Sequence, residues 1–176
     1  RLGLDVALEA AARLKDQIPS LELRIIGAGE ERDRLMALRT RLGLERIVHF
    51  SEGFVPLEMI PGLLADADVG LVPLRLSSAT DIMLPTKLLE YVQTGIPCIV
   101  PKTRTITRYF DEAMVQFFDA GDPDSLAGAI FDLYRHPEKR QSLPKTASEK
   151  FLARYRWIEH QQIYTDLVGK LLSPQA

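Results

Sequence analysis

Short apolar segments alternate with amphipathic stretches along this chain, and this alternation restricts its possible folds more than any other feature. The stretch that begins at Leu4 has apolar residues at helical spacing, including Val6, Leu8 and Leu14. Apolar segments of strand length lie at 21–26, 47–50, 69–73, 96–100 and 114–118. Strands that alternate with helices are typical of parallel β-α units. Because the strands are almost wholly apolar, we expect helices on both faces of the sheet.

The predicted helices complete a Rossmann-like α/β fold, a single domain over residues 1–176. We predict helices at 4–18, 30–43, 56–65, 85–95, 124–134, 138–155 and 157–172, and a loop at 74–84. Because a helix opens the chain, we expect the first strand of the sheet to lie upstream, in a longer protein of which this is a fragment. Ligands of open parallel sheets bind beyond the carboxyl ends of the strands. We therefore expect function in the loops after Ile26, Phe50, Pro73 and Val100.

Composition excludes several classes of function. With 176 residues, of which 46% are hydrophobic and 26% charged, the chain has enough apolar material for one core. The formal net charge of −2 does not suit a protein that binds nucleic acid by neutralising phosphates, and we expect no nucleic-acid partner. No apolar run is long enough for a transmembrane segment. Cys98, the single cysteine, excludes an internal disulfide, and the three scattered histidines show no metal-ligand spacing, so we expect no metal.

The segment that begins at Pro85 is the most informative about chemistry. Proline suits the first turn of a helix, and the free N–H groups of Thr86 and Lys87 then form an anion site suited to a diphosphate. Lys87 adds a full positive charge. Glu90 lies on the same helix face, where its carboxylate can accept hydrogen bonds from the hydroxyls of a ribose. The spacing alone equally fits a solvated ion pair between Lys87 and Glu90 within the helix.

The sequence Gly27-Ala28-Gly29 follows the first predicted strand. It lacks the third glycine of a dinucleotide-binding fingerprint. A turn from strand to helix needs glycine in any case, so these residues alone indicate no particular ligand.

Several motifs occur in the order seen in a known family. They are Gly3-Leu4-Asp5, Ile26-Gly27-Ala28-Gly29-Glu30, Gly53-Phe54-Val55-Pro56, Ala65-Asp66-Ala67-Asp68-Val69-Gly70, Pro85-Thr86-Lys87-Leu88-Leu89-Glu90-Tyr91, Pro123-Asp124-Ser125-Leu126-Ala127 and Tyr155-Arg156-Trp157. Together they resemble the C-terminal domain of retaining glycosyltransferases of the GT-B fold, in the large family 4 or group 1 class. The resemblance covers nearly the whole chain and implies the C-terminal half of a GT-B fold.

The resemblance implies roles for the segment that begins at Pro85. Glu90 matches the second glutamate of the family's paired-glutamate motif, which binds the ribose of the donor, and is a candidate catalytic residue. The backbone around Pro85, Thr86 and Lys87 would face the donor diphosphate. A lysine at the position of Lys87 is typical of a subgroup with the pattern Pro-x-Lys-x-x-Glu-Tyr.

The resemblance also implies where the nucleobase lies. The loop Gly53-Phe54-Val55 would lie against the base, and Gly27 and Gly29 would leave room near it. The family places a basic residue that contacts phosphate near Arg1 and Gly3, but Leu2 aligns best with the lysine of that motif.

One departure concerns the sugar end of the donor. The first glutamate of the family's motif falls at Ile82 in this chain. Asp81 is one residue away, and it is the candidate to reach the donor sugar from a loop.

The resemblance implies that the full-length protein transfers a sugar from a UDP- or GDP-linked donor to an acceptor with retention of configuration. The donor is expected on this domain and the acceptor on a missing N-terminal domain, with no cofactor and no metal. The expected location is the cytoplasm or the inner face of the membrane, with any membrane contact made by the missing half. The isolated chain is expected to bind the donor weakly and to transfer nothing.

Two other interpretations remain open. A degenerate module with the same fold would serve assembly or regulation without catalysis, and the departure at Ile82 favours it. An unrelated flavodoxin-like or epimerase-like nucleotide domain is the other alternative. Epimerases that act on UDP-N-acetylglucosamine share the GT-B architecture, but their histidine and carboxylate pattern is not found here.

Overall fold

A computed structural model describes residues 3–155 and 157–172. The α-helices are α1 (Leu4–Leu14), α2 (Arg32–Arg41), α3 (Ile60–Leu64), α4 (Ser78–Asp81), α5 (Thr86–Thr94), α6 (Arg104–Tyr109), α7 (Pro123–Arg135), α8 (Pro137–Ala147), α9 (Ala153–Tyr155) and α10 (Trp157–Leu172). A 3₁₀ turn (Leu57–Met59) precedes α3, and a π-helical turn (Ser148–Leu152) separates α8 from α9. The strands are β1 (Leu23–Ile25), β2 (Val48–Phe50), β3 (Gly70–Leu71), β4 (Cys98–Pro101) and β5 (Gln116–Phe118).

All strand pairings in the described residues are parallel, as predicted. β1 pairs with β2, and β3, β4 and β5 form a second group in that order. The side chains of β4 alternate between two core clusters: Ile99 packs with α1 and α7, whereas Cys98 and Val100 pack with α5 and α6. Helices therefore cover both faces, and the predicted α/β class is confirmed.

Helix α1 joins the two groups of strands. Its residues Val6 and Leu14 share a cluster with Ile99 of β4, and Leu8 shares another with Val48 of β2. One helix therefore packs on both groups of strands, through one core cluster on each side.

The edges of β1 and β3 are not paired with each other. The amide of Leu23 donates to Ile47 beside β2, and the amide of Gly70 donates to Pro97 beside β4. Adjacent residues of a strand direct their N–H and C=O groups to opposite sides, so Arg24 and Leu71 present theirs away from these partners. The chain proceeds from β1 to β2 in one group, and from β3 to β4 and then β5 in the other.

The single cysteine is a core residue. Cys98 is buried in β4, and its thiol donates to the carbonyl of Ile96 at 3.2 Å. Burial raises the pKa of the Cys98 thiol to about 12, so the thiolate required for nucleophilic chemistry does not form near neutral pH.

Several predicted boundaries are wrong. The loop predicted at 74–84 contains the short helix α4, and helix α6 is not predicted at all. The helix predicted at 138–155 is divided, and the division follows Pro144, which lacks the N–H that a continuous helix requires.

The predicted final helix is confirmed as α10, whose Ile163 and Leu167 are exposed. None of the helices within the described ranges is long and apolar enough to cross a membrane.

Candidate functional site

Helix α5 begins one residue later than predicted. Pro85 is extended (φ −69°, ψ 131°) and caps the helix from outside, whereas the sequence predicts it in the first turn. The first amide to bond back is that of Leu88, which donates to the carbonyl of Pro85 at 3.1 Å. In the described part of the chain, the amides of Thr86 and Lys87 donate to no backbone or side-chain acceptor. Two N–H groups and the positive end of the helix dipole are therefore available to an anion.

The charged residues of α5 are exposed. Leu88 and Val92 anchor the opposite side of the helix in the core. Lys87 and Glu90 face solvent, and neither forms an ion pair with any residue that the structure describes. The intrahelical ion pair that the spacing allows is thus not formed. An exposed carboxylate at Glu90 is compatible with a ligand contact, and its role stays a prediction.

Asp81 is occupied by a structural contact. One carboxylate oxygen accepts a hydrogen bond from the backbone amide of Arg104 at 2.8 Å, and the other lies 3.7 Å from Nε of the same arginine. These contacts hold the start of α6. Next to it, Ile82 is 59% exposed. The side chain predicted to reach the donor sugar is therefore committed to a different partner in this structure.

The loop between β3 and α5 is more ordered than predicted. Ser77 and Thr80 form a reciprocal capping box around α4. The buried Thr80 hydroxyl also donates to the carbonyl of Arg75 at 2.6 Å. This network fixes the path of the backbone immediately after β3.

The glycine loops that follow β1 and β2 are joined by a residue that the sequence does not single out. The hydroxyl of Ser51 accepts a hydrogen bond from the amide of Gly27 at 2.9 Å and lies 3.0 Å from the carbonyl oxygen of Gly53. Both glycines have positive φ angles, 130° for Gly27 and 154° for Gly53, which disfavour any other residue. Gly29 has an ordinary φ, and its carbonyl accepts the amide of Arg32 as α2 begins.

Phe54 is the most accessible aromatic residue near these loops. Its side chain is 84% exposed, and the neighbouring Val55 is half-buried. An exposed ring beside a glycine turn can stack on a planar base. The geometry is compatible with the predicted base contact of residues 53–55.

A carboxylate and two guanidinium groups meet at the start of α1. An oxygen of Asp5 lies 3.1 Å from Arg75 and 3.6 Å from Arg34, and the other oxygen accepts the amide of Val6. Burial alone would raise the pKa of Asp5, but the hydrogen bond and charge of Arg75, the Val6 amide and the charge of Arg34 together hold that pKa below its usual value. No sequence pattern predicts this cluster, because its members are far apart in the chain.

Gly3 brings α1 against the end of β3. Gly3 has a left-handed backbone (φ 65°), and a β-carbon there would lie 1.7 Å from the carbonyl oxygen of Pro73. Arg1 and Leu2, which the family motif aligns with a phosphate-binding position, lie outside the described residues.

Potential metal ligands in the described residues and a cavity near α5 also bear on what the site can bind. Within residues 3–155 and 157–172, no group of three or more His, Cys, Asp or Glu side chains is placed to hold a metal ion. A cavity of about 380 Å³ lies at the C-terminal end of α5, the end opposite its free amides. Its lining, which includes Leu64, Thr94 and Ile96, carries no charge, so it does not suit a phosphate.

Comparison with known proteins identifies relatives of this chain. The sequence model of the family Glycosyl transferases group 1 matches residues 1–150. The putative colanic acid biosynthesis glycosyltransferase WcaL of Escherichia coli K12 is 37% identical over 98 residues, which are 55% of this chain and 24% of that protein. A GDP-mannose-dependent α-(1-6)-phosphatidylinositol monomannoside mannosyltransferase of Mycolicibacterium smegmatis is 26% identical over 160 residues, 89% of this chain and 42% of that protein.

A solved structure shares the fold. HepE of Anabaena, crystallised with UDP and glucose, superposes with a TM-score of 0.71 at 22% identity, covering 96% of this chain and 45% of that one. The present chain spans less than half the length of each of these three proteins.

Proposed function

The chain belongs to the group 1 glycosyl transferases, and on that premise we propose that it binds the nucleotide-sugar donor of such an enzyme. The observation that carries the proposal is the start of α5. Two amides and the ammonium group of Lys87 lie there, with the carboxylate of Glu90 further along the helix, and none of these groups has a partner among the described residues. The donor is a UDP- or GDP-linked sugar.

Each group in the proposed site matches one part of such a donor. The amides of Thr86 and Lys87, the helix dipole and the Lys87 charge bind the diphosphate. The Glu90 carboxylate accepts hydrogen bonds from the ribose hydroxyls. The base stacks on Phe54, between the loops at Gly27-Ala28-Gly29 and Gly53-Phe54-Val55.

The proposed reaction is transfer with retention. The bond between the anomeric carbon and the diphosphate oxygen breaks, and its electron pair leaves with the diphosphate. An acceptor hydroxyl forms the new bond to the same face of that carbon and passes its proton to the departing diphosphate oxygen. Cations and helix-end amides stabilise the leaving diphosphate, which is the main contribution of this domain.

The proposed partner is an N-terminal domain of the same protein, which binds the acceptor. Closure of the cleft between two domains excludes water and aligns the reacting atoms. The isolated chain therefore binds the donor and transfers nothing. Donor binding needs no metal, and the protein lies in the cytoplasm or at the inner face of the membrane. Sugar transfer or donor turnover by the purified chain of 176 residues would contradict this part of the proposal, and EDTA is expected to leave donor binding unchanged.

Calorimetry with UDP, GDP and ADP tests donor binding. We expect UDP or GDP to bind, and Lys87→Ala to weaken that binding about 10- to 100-fold, the effect of a charged hydrogen bond. Lys145→Ala is the matched control, because Lys145 is also an exposed helical lysine. Equal losses in both variants, or none in either, would be incompatible with a phosphate contact by Lys87.

Glu90→Gln tests the ribose contact separately. The substitution removes a charged acceptor, so we expect about tenfold weaker binding of the nucleoside diphosphate and unchanged binding of inorganic pyrophosphate. Equal weakening of both ligands would show that Glu90 does not recognise the ribose.

Exposure of Ile82 and the commitment of Asp81 to Arg104 favour a second candidate, a non-catalytic module used in assembly. Such a module is expected to bind none of the three nucleotides. The calorimetric titration therefore distinguishes the two functions before any variant is made.

A further inference from the structure

The ion-paired cluster at Asp5 lies at a distinctive place in the sheet. Open α/β sheets bind ligands in a crevice beyond the carboxyl ends of their strands, and the loops that follow β1 and β3 leave the two groups of strands at those ends. Arg34 follows β1 on α2, Arg75 follows β3, and Asp5 lies in the first turn of α1, which packs on both groups of strands. The cluster therefore connects the two sides of the crevice.

The backbone of Arg75 is held from two sides. Its carbonyl accepts the hydrogen bond of the buried Thr80 hydroxyl at 2.6 Å. Its Cα lies 3.6 Å from the place where Gly121, in the loop after β5, would carry a β-carbon. These contacts fix the point from which the arginine side chain extends.

The Arg75 side chain has N–H donors that its contact with Asp5 does not use. It is 48% exposed, and one terminal nitrogen contacts Asp5 at 3.1 Å. An arginine has five N–H donors in a rigid fork, so one carboxylate contact leaves a bidentate edge for phosphate oxygens. Arg34 differs, because it also forms an ion pair with Glu31.

We propose that Arg75 contacts the diphosphate of the donor and that Asp5 is a positioning residue that orients the Arg75 fork. This inference rests on the proposed function and adds a second cation, on the loop after β3, to the Lys87 end of α5. Asp5 is suited to this role because its side chain is only 17% exposed and is anchored by the Val6 amide.

Calorimetry on Arg75→Gln tests the contact. We expect UDP or GDP, and inorganic pyrophosphate, to bind about tenfold or more weakly, as for loss of a charge-assisted hydrogen bond. Arg24→Gln is the matched control: Arg24 is also paired with an aspartate, Asp66, and its side chain is 38% exposed. It is expected to change affinity less than about twofold, since surface ion pairs of this kind contribute little. Equal affinities of Arg75→Gln and the unchanged chain would overturn the inference.

Combining substitutions at Asp5 and Arg75 tests the positioning role of Asp5. If Asp5 acts through Arg75, Asp5→Asn weakens diphosphate binding in the unchanged chain but has no further effect in Arg75→Gln. Independent, additive losses would overturn the positioning role of Asp5. If Arg75→Gln fails to fold, Arg75→Lys keeps the charge but removes the bidentate fork, and we expect weaker diphosphate binding at an unchanged melting temperature. Unchanged affinity in Arg75→Lys would then reject the bidentate contact.

The same titrations separate the two proposals. No binding of any nucleoside diphosphate by the unchanged chain would refute the proposed function and this inference together. Binding that depends on Lys87 but not on Arg75 would refute only the present inference.

Discussion

The loops that follow β1 and β2 differ from the region around β3 in what holds them in place. The first pair relies on glycines with positive φ angles and on the Ser51 hydroxyl, and a β-carbon at Gly27 or Gly53 would meet no atom within 4 Å. Around β3 the contacts are close: Gly3 lies against Pro73, and a β-carbon on Gly70 would enter the ring of Tyr91 at 2.5 Å. Backbone conformation therefore holds the loops after β1 and β2 in place, whereas close packing holds the region around β3.

This difference matches the parts of a donor that each region is proposed to bind. A flat, uncharged base needs a turn of the right shape and an exposed ring such as Phe54. A diphosphate needs charges held at fixed positions, and the packed region carries Lys87, Arg75 and Asp5. We therefore expect substitutions that add atoms to lower the free energy of unfolding most around β3. Substitutions that remove hydrogen bonds should lower it most in the glycine loops.

Gly3→Ala is expected to have the largest effect on stability. Its β-carbon would clash with a backbone carbonyl, and its φ of 65° disfavours alanine in addition. We expect the free energy of unfolding to fall by about 3 kcal/mol or more, the sum of strain and overpacking. Gly27→Ala is the matched control, with positive φ but open space, and should cost only about 1–2 kcal/mol in urea unfolding. Equal costs would remove the distinction between the regions.

Gly70→Ala is the next largest change. The Tyr91 ring is half-buried and lies over Gly70, so a methyl group must displace it. Overpacking of this kind costs about 1–3 kcal/mol. Gly29→Ala, at an open position of ordinary φ, should change the free energy of unfolding by less than about 0.5 kcal/mol. A small effect at Gly70 would show that Tyr91 can move away freely.

Much of the fold follows from local sequence. Apolar runs identify the five strands of the described part of the chain, and helical spacing together with Pro85 and Gly95 identifies α5 to within one residue. These features depend on neighbours in the chain, so periodicity is enough to find them. Helix α6 is not predicted because it has only six residues, and its only sequence signal is the N-cap residue Thr103.

The site is harder to predict from sequence, for a physical reason. The exposure of Glu90 and Lys87 agrees with their predicted roles, but the contacts that shape the crevice join residues distant in sequence. Asp81, whose contact with the sugar stays a prediction, accepts a hydrogen bond from the amide of Arg104, and the Ser51 link between two loops has no local signature. Polar side chains find partners by tertiary proximity, which a pattern of apolar residues does not encode.

Ser51→Ala should have a smaller effect, in the other region. The loss of its hydrogen bonds to Gly27 and Gly53 is expected to cost about 1–2 kcal/mol, since each such bond contributes about 1 kcal/mol. Ser78→Ala is the control, because the Ser78 side chain is exposed and makes no hydrogen bond to any described residue. Thermal unfolding of both variants measures the difference. If Ser51→Ala were as stable as the unchanged chain, the glycine turns alone would determine the loop conformation.

The smallest expected effect is a change in how stability depends on acidic pH. The pKa of Asp5 is lowered from its ordinary 3.8, so the folded state favours the ionised carboxylate. The resulting stability is present above the unfolded pKa and is lost as the pH falls through the lower folded value. Urea unfolding from about pH 5 to about pH 2 should therefore show a decline that Asp5→Asn reduces and that Asp33→Asn, at an exposed position, leaves unchanged. A decline that Asp5→Asn does not alter would mean that close packing, rather than the ion pairs with Arg75 and Arg34, holds the start of α1 against β3.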